Sequence, residues 1–125
     1  MDTITDNILV AAYGTLREGW GNNARYLKDS KHLGTGKTVN KYTMRSSGIP
    51  FVSKEPLTTI VVDVYKVNNE TLNRLDSLEG HPEWYRREKT DVVLNDKVIP
   101  CWLYFNEGYK DAPIVESGDF NSKII

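Results

Sequence analysis

The apolar residues of this chain are gathered in short runs that end at glycine, asparagine or proline, which limits the chain to short strands and few helices. Ile8–Tyr13 is one such run, and Gly14 ends it. Thr58–Val67 is a second run, rich in β-branched residues and partly alternating. Both patterns are typical of β-strands. No run approaches the roughly 20 apolar residues that a membrane-spanning helix requires.

Two further strands are predicted on either side of Asn95-Asp96, a residue pair that favours a tight hairpin turn. They cover Trp84–Leu94 and Lys97–Phe105. Within the second, Val98–Phe105 is apolar at nearly every position. That composition predicts a central strand covered on both faces.

One strong helix is predicted between the strand at Thr58–Val67 and the strand at Trp84–Leu94. Leu72, Leu75 and Leu78 recur at a spacing of three residues, which indicates a helix of about three turns. Asn68 is its predicted N-cap, and Gly80 is predicted to end it. The helix therefore has a start signal, an apolar face and a stop signal that agree with one another.

Weaker signals complete the chain. Asn22 or Asn23 is predicted to cap a short helix that runs through Leu27, after a glycine-rich loop. Val39–Ser46 is predicted to be a strand, and Gly48-Ile49-Pro50 a turn. Strands dominate, so the predicted class is α+β with a mostly antiparallel, barrel-like sheet.

Length and composition narrow the function classes. The 125 residues suit a single domain over 1–125, with irregular segments expected at 1–7 and 121–125. The 16 basic and 17 acidic side chains leave a net charge of −1, which disfavours nucleic acid as a partner. A single cysteine, no leader pattern and no membrane-spanning run together predict a cytoplasmic protein.

Three motifs that suggest chemistry have a simpler explanation. Gly34–Thr38 resembles the end of a phosphate-binding loop, but Lys31 stands where that motif needs glycine, so a surface turn leading into a strand is predicted. Nothing in the sequence brings Cys101 to a histidine, so a small buried side chain is predicted there. Asp76, Glu79 and His81 lack the additional ligands of a metal site, and no metal is predicted.

Glu79 is the first candidate functional residue. On the predicted helix it follows Leu75 by four positions and Leu72 by seven, so it shares their apolar face. It also lies in the last turn, where the partial negative charge of the helix end disfavours a carboxylate. Both effects raise the pKa of a carboxyl, as general acid/base catalysis near neutral pH requires. The alternative is a boundary residue that reaches solvent or pairs with a nearby arginine (Arg74, Arg86 or Arg87).

The junction Tyr13-Gly14-Thr15-Leu16 is the second candidate. A glycine directly after a buried strand allows a sharp turn and the close approach of a ligand. The N–H groups that follow would have no strand partner, and they could converge on an anion or on a developing oxyanion. An ordinary tight turn is the alternative interpretation of the same residues.

Three blocks of residues, taken in order along the chain, resemble a known family. The first is Tyr13-Gly14-Thr15-Leu16-Arg17 with Gly19 and Asn22; the second is Val62-x-Val64-Tyr65 with Leu75-Asp76-x-Leu78-Glu79-Gly80, Pro82, Tyr85 and Arg87; the third is Trp102-x-Tyr104 with Ser117-Gly118-Asp119-Phe120. Together they resemble the gamma-glutamylcyclotransferase-like family, in the subgroup of the gamma-glutamylamine cyclotransferases and their small bacterial and plant relatives. Lys31–Pro56 matches little, and substrate choice could differ there.

The resemblance implies a small mixed β-barrel with helices packed around it and a cavity at the barrel mouth. It implies that Glu79 is the catalytic acid/base and that Tyr13, Gly14, Thr15 and Leu16 line the substrate pocket. It implies no metal and no cofactor.

Tyr85 and Arg87 follow Glu79 closely and are predicted to support this site without performing the chemistry. Because residues two apart in a strand share a face, both side chains are expected to point the same way. Arg87 is then expected to pair with a nearby carboxylate such as Asp76.

The implied substrate is a small γ-glutamyl amide or amine, whose own α-amino group attacks its γ-carbonyl. This closes a five-membered lactam, 5-oxoproline, and expels an amine. The alternative is a non-catalytic small-molecule or partner-binding module on the same fold, and the retained Glu79 favours the enzyme. Neither the residues nor the resemblance specifies an oligomeric state.

Overall fold

The computed structural model describes residues 8–123. Its strands are β1 (Ile8–Ala12), β2 (Lys31–Thr38), β3 (Tyr42–Ser47), β4 (Ile49–Thr58), β5 (Val61–Val67), β6 (Arg86–Leu94) and β7 (Lys97–Phe105). The helices are α1 (Gly21–Tyr26) and α2 (Asn69–Glu79), followed by a short 3₁₀ helix at Phe120–Lys123.

Five strands form a closed barrel in the order β1-β5-β2-β6-β7, and β3 and β4 form a separate two-stranded sheet. Neighbouring barrel strands are antiparallel except for β7 and β1, which run parallel where the barrel closes. The predicted small α+β barrel, mixed and mostly antiparallel, is therefore confirmed.

Side chains of the barrel strands alternate between two apolar clusters, as the period of two in a strand requires. On β1, Ala11 belongs to the cluster that includes Val62 and Leu103, on β5 and β7. Val10 and Ala12 belong to the second cluster, which contains the α2 residues Leu72 and Leu75. The first cluster fills the barrel, and the second attaches α2 to its outer surface.

The strongest sequence signals correspond to observed elements. The Asn68 side chain accepts the Thr71 N–H at 2.8 Å and caps α2. Asn95 and Asp96 have φ of 53° and 66°, the left-handed conformation that a two-residue hairpin turn between β6 and β7 requires.

The surface turn predicted at Gly34–Thr38 is wrong, because these residues lie in β2 between β5 and β6. The strand is poor in apolar residues, so its sequence lacks a strand signal. Its glycines allow close packing: a Cβ added to Gly36 would lie 2.2 Å from the Val93 carbonyl oxygen.

Several predicted boundaries also need correction. The predicted turn Gly48-Ile49-Pro50 is only a bend at Gly48, since Ile49 and Pro50 begin β4. The second half of β4 is exposed and polar, so its sequence lacks the apolar pattern of a strand. β5 begins at Val61, and the predicted Thr58 is the last residue of β4. Residues 121–123, predicted as part of an irregular tail, belong to the 3₁₀ helix, and the segment predicted as irregular at 1–7 lies outside the described residues.

Two further predictions were wrong in part. The cap of α1 is Trp20, and Asn22 and Asn23 lie inside the helix, where their side chains are free to bind other groups. Val98–Phe105 is not covered on both faces throughout, because Val98 is 61% exposed while Cys101 and Leu103 are fully buried.

We expect Gly36→Ala to lower the free energy of unfolding by at least about 2 kcal/mol, because the added methyl group meets a backbone oxygen that cannot turn aside. Gly21→Ala is the matched control: nothing lies within 4 Å of its added Cβ, and the substitution suits a helix. Urea denaturation of both variants measures the difference. Equal stability of the two variants would contradict the close packing of β2.

Candidate active site

Glu79 is the last residue of α2, and Gly80, with φ of 66°, ends the helix directly behind it. Leu72 and Leu75 on the same helix are buried against the barrel. Burial raises the pKa of the Glu79 carboxyl from 4.5 to about 7. Among the described residues, the Glu79 carboxylate has no hydrogen-bond or ion-pair partner, so the alternative of a pair with arginine does not occur. Glu79 is thus a half-buried carboxyl that both gives and accepts a proton easily near neutral pH.

The loop after β1 presents a row of backbone donors. The Arg17 N–H donates to the Gly14 carbonyl at 3.0 Å, which makes residues 14–17 a turn. The hydrogen bonds within residues 8–123 use none of the N–H groups of Gly14, Thr15 and Leu16. Successive free N–H groups in a turn can bind an anionic oxygen atom.

Helix α1 holds this loop in place through two asparagines. The Asn22 amide donates to the Thr15 hydroxyl at 2.8 Å. The Asn23 amide donates to the Leu16 carbonyl at 2.9 Å. These bonds explain why the asparagines lie inside α1 and not at its cap, and they were not predicted from the sequence.

A buried ion pair fixes the far end of the same loop. Arg17 and Asp63 are 5% and 3% exposed, and the Arg17 Nε lies 3.4 Å from Asp63 Oδ2. The same Asp63 oxygen accepts the Glu18 N–H at 3.0 Å, and Arg17 Nη1 contacts Asp119 at 2.7 Å. Because Asp63 belongs to β5, the loop is tied to the barrel wall.

Gly14 has a packing role that the sequence did not suggest. A Cβ at this position would lie 2.7 Å from the Pro50 ring, so only glycine lets the loop lie against the start of β4. Its φ lies outside the left-handed region, so the turn itself does not require glycine. The close approach observed at Gly14 is thus to Pro50.

Three tyrosines surround Glu79. Tyr13 donates its hydroxyl to the Tyr104 carbonyl at 2.6 Å, and Tyr85 donates to the Pro50 carbonyl at 2.8 Å. Burial raises the pKa of Tyr13, Tyr85 and Tyr104, and the nearby Glu79 charge raises each pKa further. All three phenols therefore stay neutral at physiological pH and form a wall of low polarity.

These groups meet in one cavity of about 150 Å³. The loop residues Tyr13, Gly14, Thr15 and Leu16 line it together with Glu79 and Tyr85. Its other lining residues, which the sequence did not indicate, are Ala11, Ala12, Asn22, Ile49, Pro50, Leu78, Trp84 and Tyr104. The tertiary fold thus brings the loop to Glu79.

Arg87 lies beside the cavity and not in it. Its Nε and Nη2 donate to the two oxygens of Asp76 at 2.8 and 3.0 Å, the pairing that the sequence predicted. Tyr104 donates to the same carboxylate at 2.7 Å. Burial acts to raise the pKa of Asp76, but the hydrogen bonds from Arg87 and Tyr104 outweigh it and lower the pKa. Tyr85 itself precedes β6, so the shared strand face predicted for Tyr85 and Arg87 does not exist.

The residues that could suggest other chemistry are dispersed. Cys101 is fully buried, and burial raises the pKa of its thiol to about 11. His32 stacks on Tyr65, and His81 accepts the Arg87 N–H at 3.2 Å. Within residues 8–123, no three His, Cys, Asp or Glu side chains are grouped so that they could hold a metal ion.

The sequence profile of the family described as gamma-glutamyl cyclotransferase, AIG2-like, matches residues 10–122. The chain belongs to this family. The resemblance noted in the sequence is therefore confirmed, and this gamma-glutamyl cyclotransferase-family protein matches the profile from β1 to the 3₁₀ helix.

Its relatives agree with this assignment. A protein of Methanocaldococcus jannaschii, provisionally named a gamma-glutamylcyclotransferase, is 47% identical over 115 residues, which cover 89% of this chain and 93% of that one. A Xenopus laevis protein named gamma-glutamylaminecyclotransferase is 34% identical over 85 residues, covering 64% and 55%. The crystal structure of a Mus musculus AIG2-like protein, 24% identical, shares the fold with a TM-score of 0.79 over 87% and 86% of the chains.

Neither α1 nor α2, nor any other helix within the described part of this family member, has the length and apolar character needed to cross a bilayer.

We expect Arg87→Ala to lower the free energy of unfolding by about 2 kcal/mol at neutral pH, because it leaves a partly buried carboxylate without its paired donors. The pKa of Asp76 is lowered by folding, so the pair stabilises the protein above the ordinary carboxyl pKa, and this stabilisation is lost as the pH falls through the folded-state pKa. Denaturation at several pH values should therefore show the two proteins converging in acid. Arg86→Ala, at an exposed neighbouring position, is the control and should change little.

Proposed function

We propose that this protein releases 5-oxoproline and a free amine from a small γ-glutamyl amide or amine, with Glu79 as general acid/base. The observation that carries the proposal is the half-buried Glu79 carboxyl, with a pKa of about 7, in the same cavity as the free N–H groups of Gly14–Leu16. A proton acceptor and an anion-binding loop at one site are the two groups that this reaction needs.

The reaction joins two groups of one substrate molecule. The substrate's α-amino nitrogen forms a bond to its γ-carbonyl carbon, and the bond from that carbon to the amine nitrogen breaks. Glu79 takes the proton that the attacking nitrogen loses and returns it to the leaving nitrogen. Because both reacting groups belong to the substrate, the protein contributes mainly by selecting the folded conformer, and no metal or cofactor is required.

The loop donors Gly14, Thr15 and Leu16 receive an anionic oxygen atom of the substrate, either its carboxylate or the oxyanion that develops on the γ-carbonyl. The bonds from Asn22 and Asn23 and the Arg17–Asp63 pair hold the loop before the substrate arrives. Such preorganised donors need no rearrangement as the charge develops.

Tyr13 and Tyr85 contribute by keeping the cavity neutral around Glu79. Their hydroxyls are bound to backbone carbonyls, so neither is free to replace Glu79 in proton transfer. Arg87 lies outside the cavity and acts through Asp76. Together with Tyr104 it binds the Asp76 carboxylate and so holds the end of α2 against β7. Tyr85 and Arg87 therefore position the site.

A relative's name supports a choice for the amine side of the substrate. One relative is named gamma-glutamylaminecyclotransferase, which supports γ-glutamyl amines as the first substrates to test. A net charge of −1 supports a small molecule over nucleic acid as the partner.

Glu79→Gln tests the assigned role directly. Gln has nearly the same shape but cannot carry the proton, so we expect 5-oxoproline release from a panel of γ-glutamyl amines to fall by ~10²–10⁴-fold. Binding of the same substrates should persist, because it is assigned to the loop. Glu70→Gln, an exposed residue in the first turn of α2, is the matched control and should retain full turnover.

The outcomes separate the alternatives. If the wild type releases no 5-oxoproline from any member of the panel yet binds some of them, the non-catalytic binding module is correct. If the wild type turns over and Glu79→Gln does so equally well, the proton-transfer role of Glu79 is wrong while the reaction remains.

The same variant should show a pH-dependent gain in stability. The Glu79 pKa is higher in the folded protein than in the unfolded chain, so its burial costs nothing where both states are protonated and destabilises the fold as the pH rises through about 7. We expect Glu79→Gln to match the wild type near about pH 4 and to exceed it by up to about 3 kcal/mol near about pH 8. Thermal unfolding across that range measures the effect, and a pH-independent difference would contradict it.

A further inference from the structure

A second cavity, of about 350 Å³, lies where the β3–β4 hairpin meets the segment that follows β7. Arg45 of β3 and Phe51, Ser53 and Glu55 of β4 line one side, and residues of the 106–110 segment line the other. The hairpin residues fall within Lys31–Pro56, where the family resemblance in the sequence is weakest. The proposed reaction uses none of these side chains.

Asn106 gives this cavity an unused hydrogen-bond donor. The residue is 7% exposed, and its side-chain Nδ2 is buried without an acceptor. Its Oδ1 accepts the Gly108 N–H at 2.9 Å, which fixes the orientation of the amide and leaves Nδ2 as the free atom. A buried donor without a partner is unfavourable, and an oxygen atom of a ligand that reaches it would satisfy it.

Arg45 supplies an anchored positive charge at the same cavity. Its Nη1 donates to the Ala112 carbonyl at 2.9 Å, and its side chain is 20% exposed. Within the described residues its one ion-pair contact is with Glu55, at 3.9 Å from Nη2, and the Glu55 side chain is 69% exposed. The guanidinium therefore keeps free donors, and a guanidinium suits a carboxylate especially well.

The other charged side chains that line the cavity, Glu55, Glu107 and Lys110, are all exposed. Lys110 is exposed and has no partner within residues 8–123, so it adds a mobile positive charge. Glu107 is exposed as well, and its carboxylate accepts the Lys54 N–H at 3.3 Å. The anchored donors of Arg45 and Asn106 thus lie deeper than the exposed carboxylates.

An aromatic pair forms the apolar part of the cavity. The Phe51 ring stacks on Tyr109 with 3.9 Å between centroids, and it also stacks on Tyr85 at 5.9 Å. Tyr85 lines the Glu79 cavity and Phe51 lines this one, so two stacked rings connect the walls of the two cavities. Phe51 is 4% exposed and Tyr109 is 41% exposed, so the apolar group of a ligand here would lie mainly against Tyr109 while its polar end met the donors.

We propose that this second cavity binds a small molecule that carries a carboxylate next to a flat apolar group. The carboxylate contacts Arg45 and the Asn106 Nδ2, and the apolar group lies against Tyr109, which Phe51 supports from behind. The site is distinct from the Glu79 cavity, and the inference does not depend on the proposed function.

Phenylacetate is a probe of this shape, with phenylacetamide and phenethylamine as its neutral and cationic analogues. In proton–nitrogen correlation spectra, phenylacetate should shift the Asn106 side-chain and Tyr109 backbone signals to saturation, with a Kd of about 1 mM or lower. Phenylacetamide should bind at least about ten-fold more weakly, because it lacks the charge that Arg45 recognises, and phenethylamine should produce no saturable shift.

Two variants test the assigned contacts. Asn106→Asp keeps the acceptor for Gly108 and replaces the free donor with an oxygen that repels a carboxylate, so phenylacetate binding should be lost. Arg45→Gln should weaken binding at least about ten-fold, and the spectrum of each free variant shows whether its fold is intact. Glu55→Gln, which removes only a rim carboxylate, is the matched control and should bind phenylacetate at least as tightly as the wild type.

Three outcomes would overturn the proposal. The first is the absence of any saturable shift at Asn106 and Tyr109 with phenylacetate. The second is equal binding of the three probes, which would indicate a merely apolar cavity. The third is a phenylacetate response confined to the amides of Gly14, Thr15 and Leu16, which would place the carboxylate in the Glu79 cavity.

Discussion

The parallel pairing of β1 with β7 is the constraint on which the rest of the architecture depends, because it closes a five-stranded sheet into a barrel. Closure removes the sheet edges and encloses the apolar cluster formed by alternate residues of the strands. It also determines where β1 ends. The loop that follows Ala12 leaves the barrel beside the outer layer, where the end of α2 packs against the same strands.

Helix α2 places an unfavourable group at that point. Its cap at Asn68, its buried leucines and the Asp76–Arg87 pair all stabilise the helix, while the Glu79 carboxyl is held where burial raises its pKa to about 7. Residues that are costly to fold and useful for chemistry are common at active sites. The surrounding contacts offset the cost of Glu79, and the same contacts keep its carboxyl directed at the cavity.

The elements predicted correctly from the sequence are those whose signals are local. The β6–β7 hairpin has a turn pair with positive φ, and α2 has a cap, an apolar face and a terminal glycine. β2 is not predicted from the sequence because it has few apolar residues, and its glycines Gly34 and Gly36 are typical of a turn. Those glycines are required by contacts with β6, a strand more than fifty residues further along the chain, so no local pattern could reveal them.

Residue patterns are enough to specify the chemical character of the two candidate groups: a carboxylate on the apolar face of a helix end, and a glycine turn after a buried strand. The cavity that Glu79 shares with the Gly14 loop, the asparagines of α1 that hold the loop, and the bond by which Tyr104 joins Asp76 to β7 arise from the folded chain. This division exists because propensity and capping act between residues close in the chain. Pocket geometry and burial depend instead on barrel closure, which brings distant residues together.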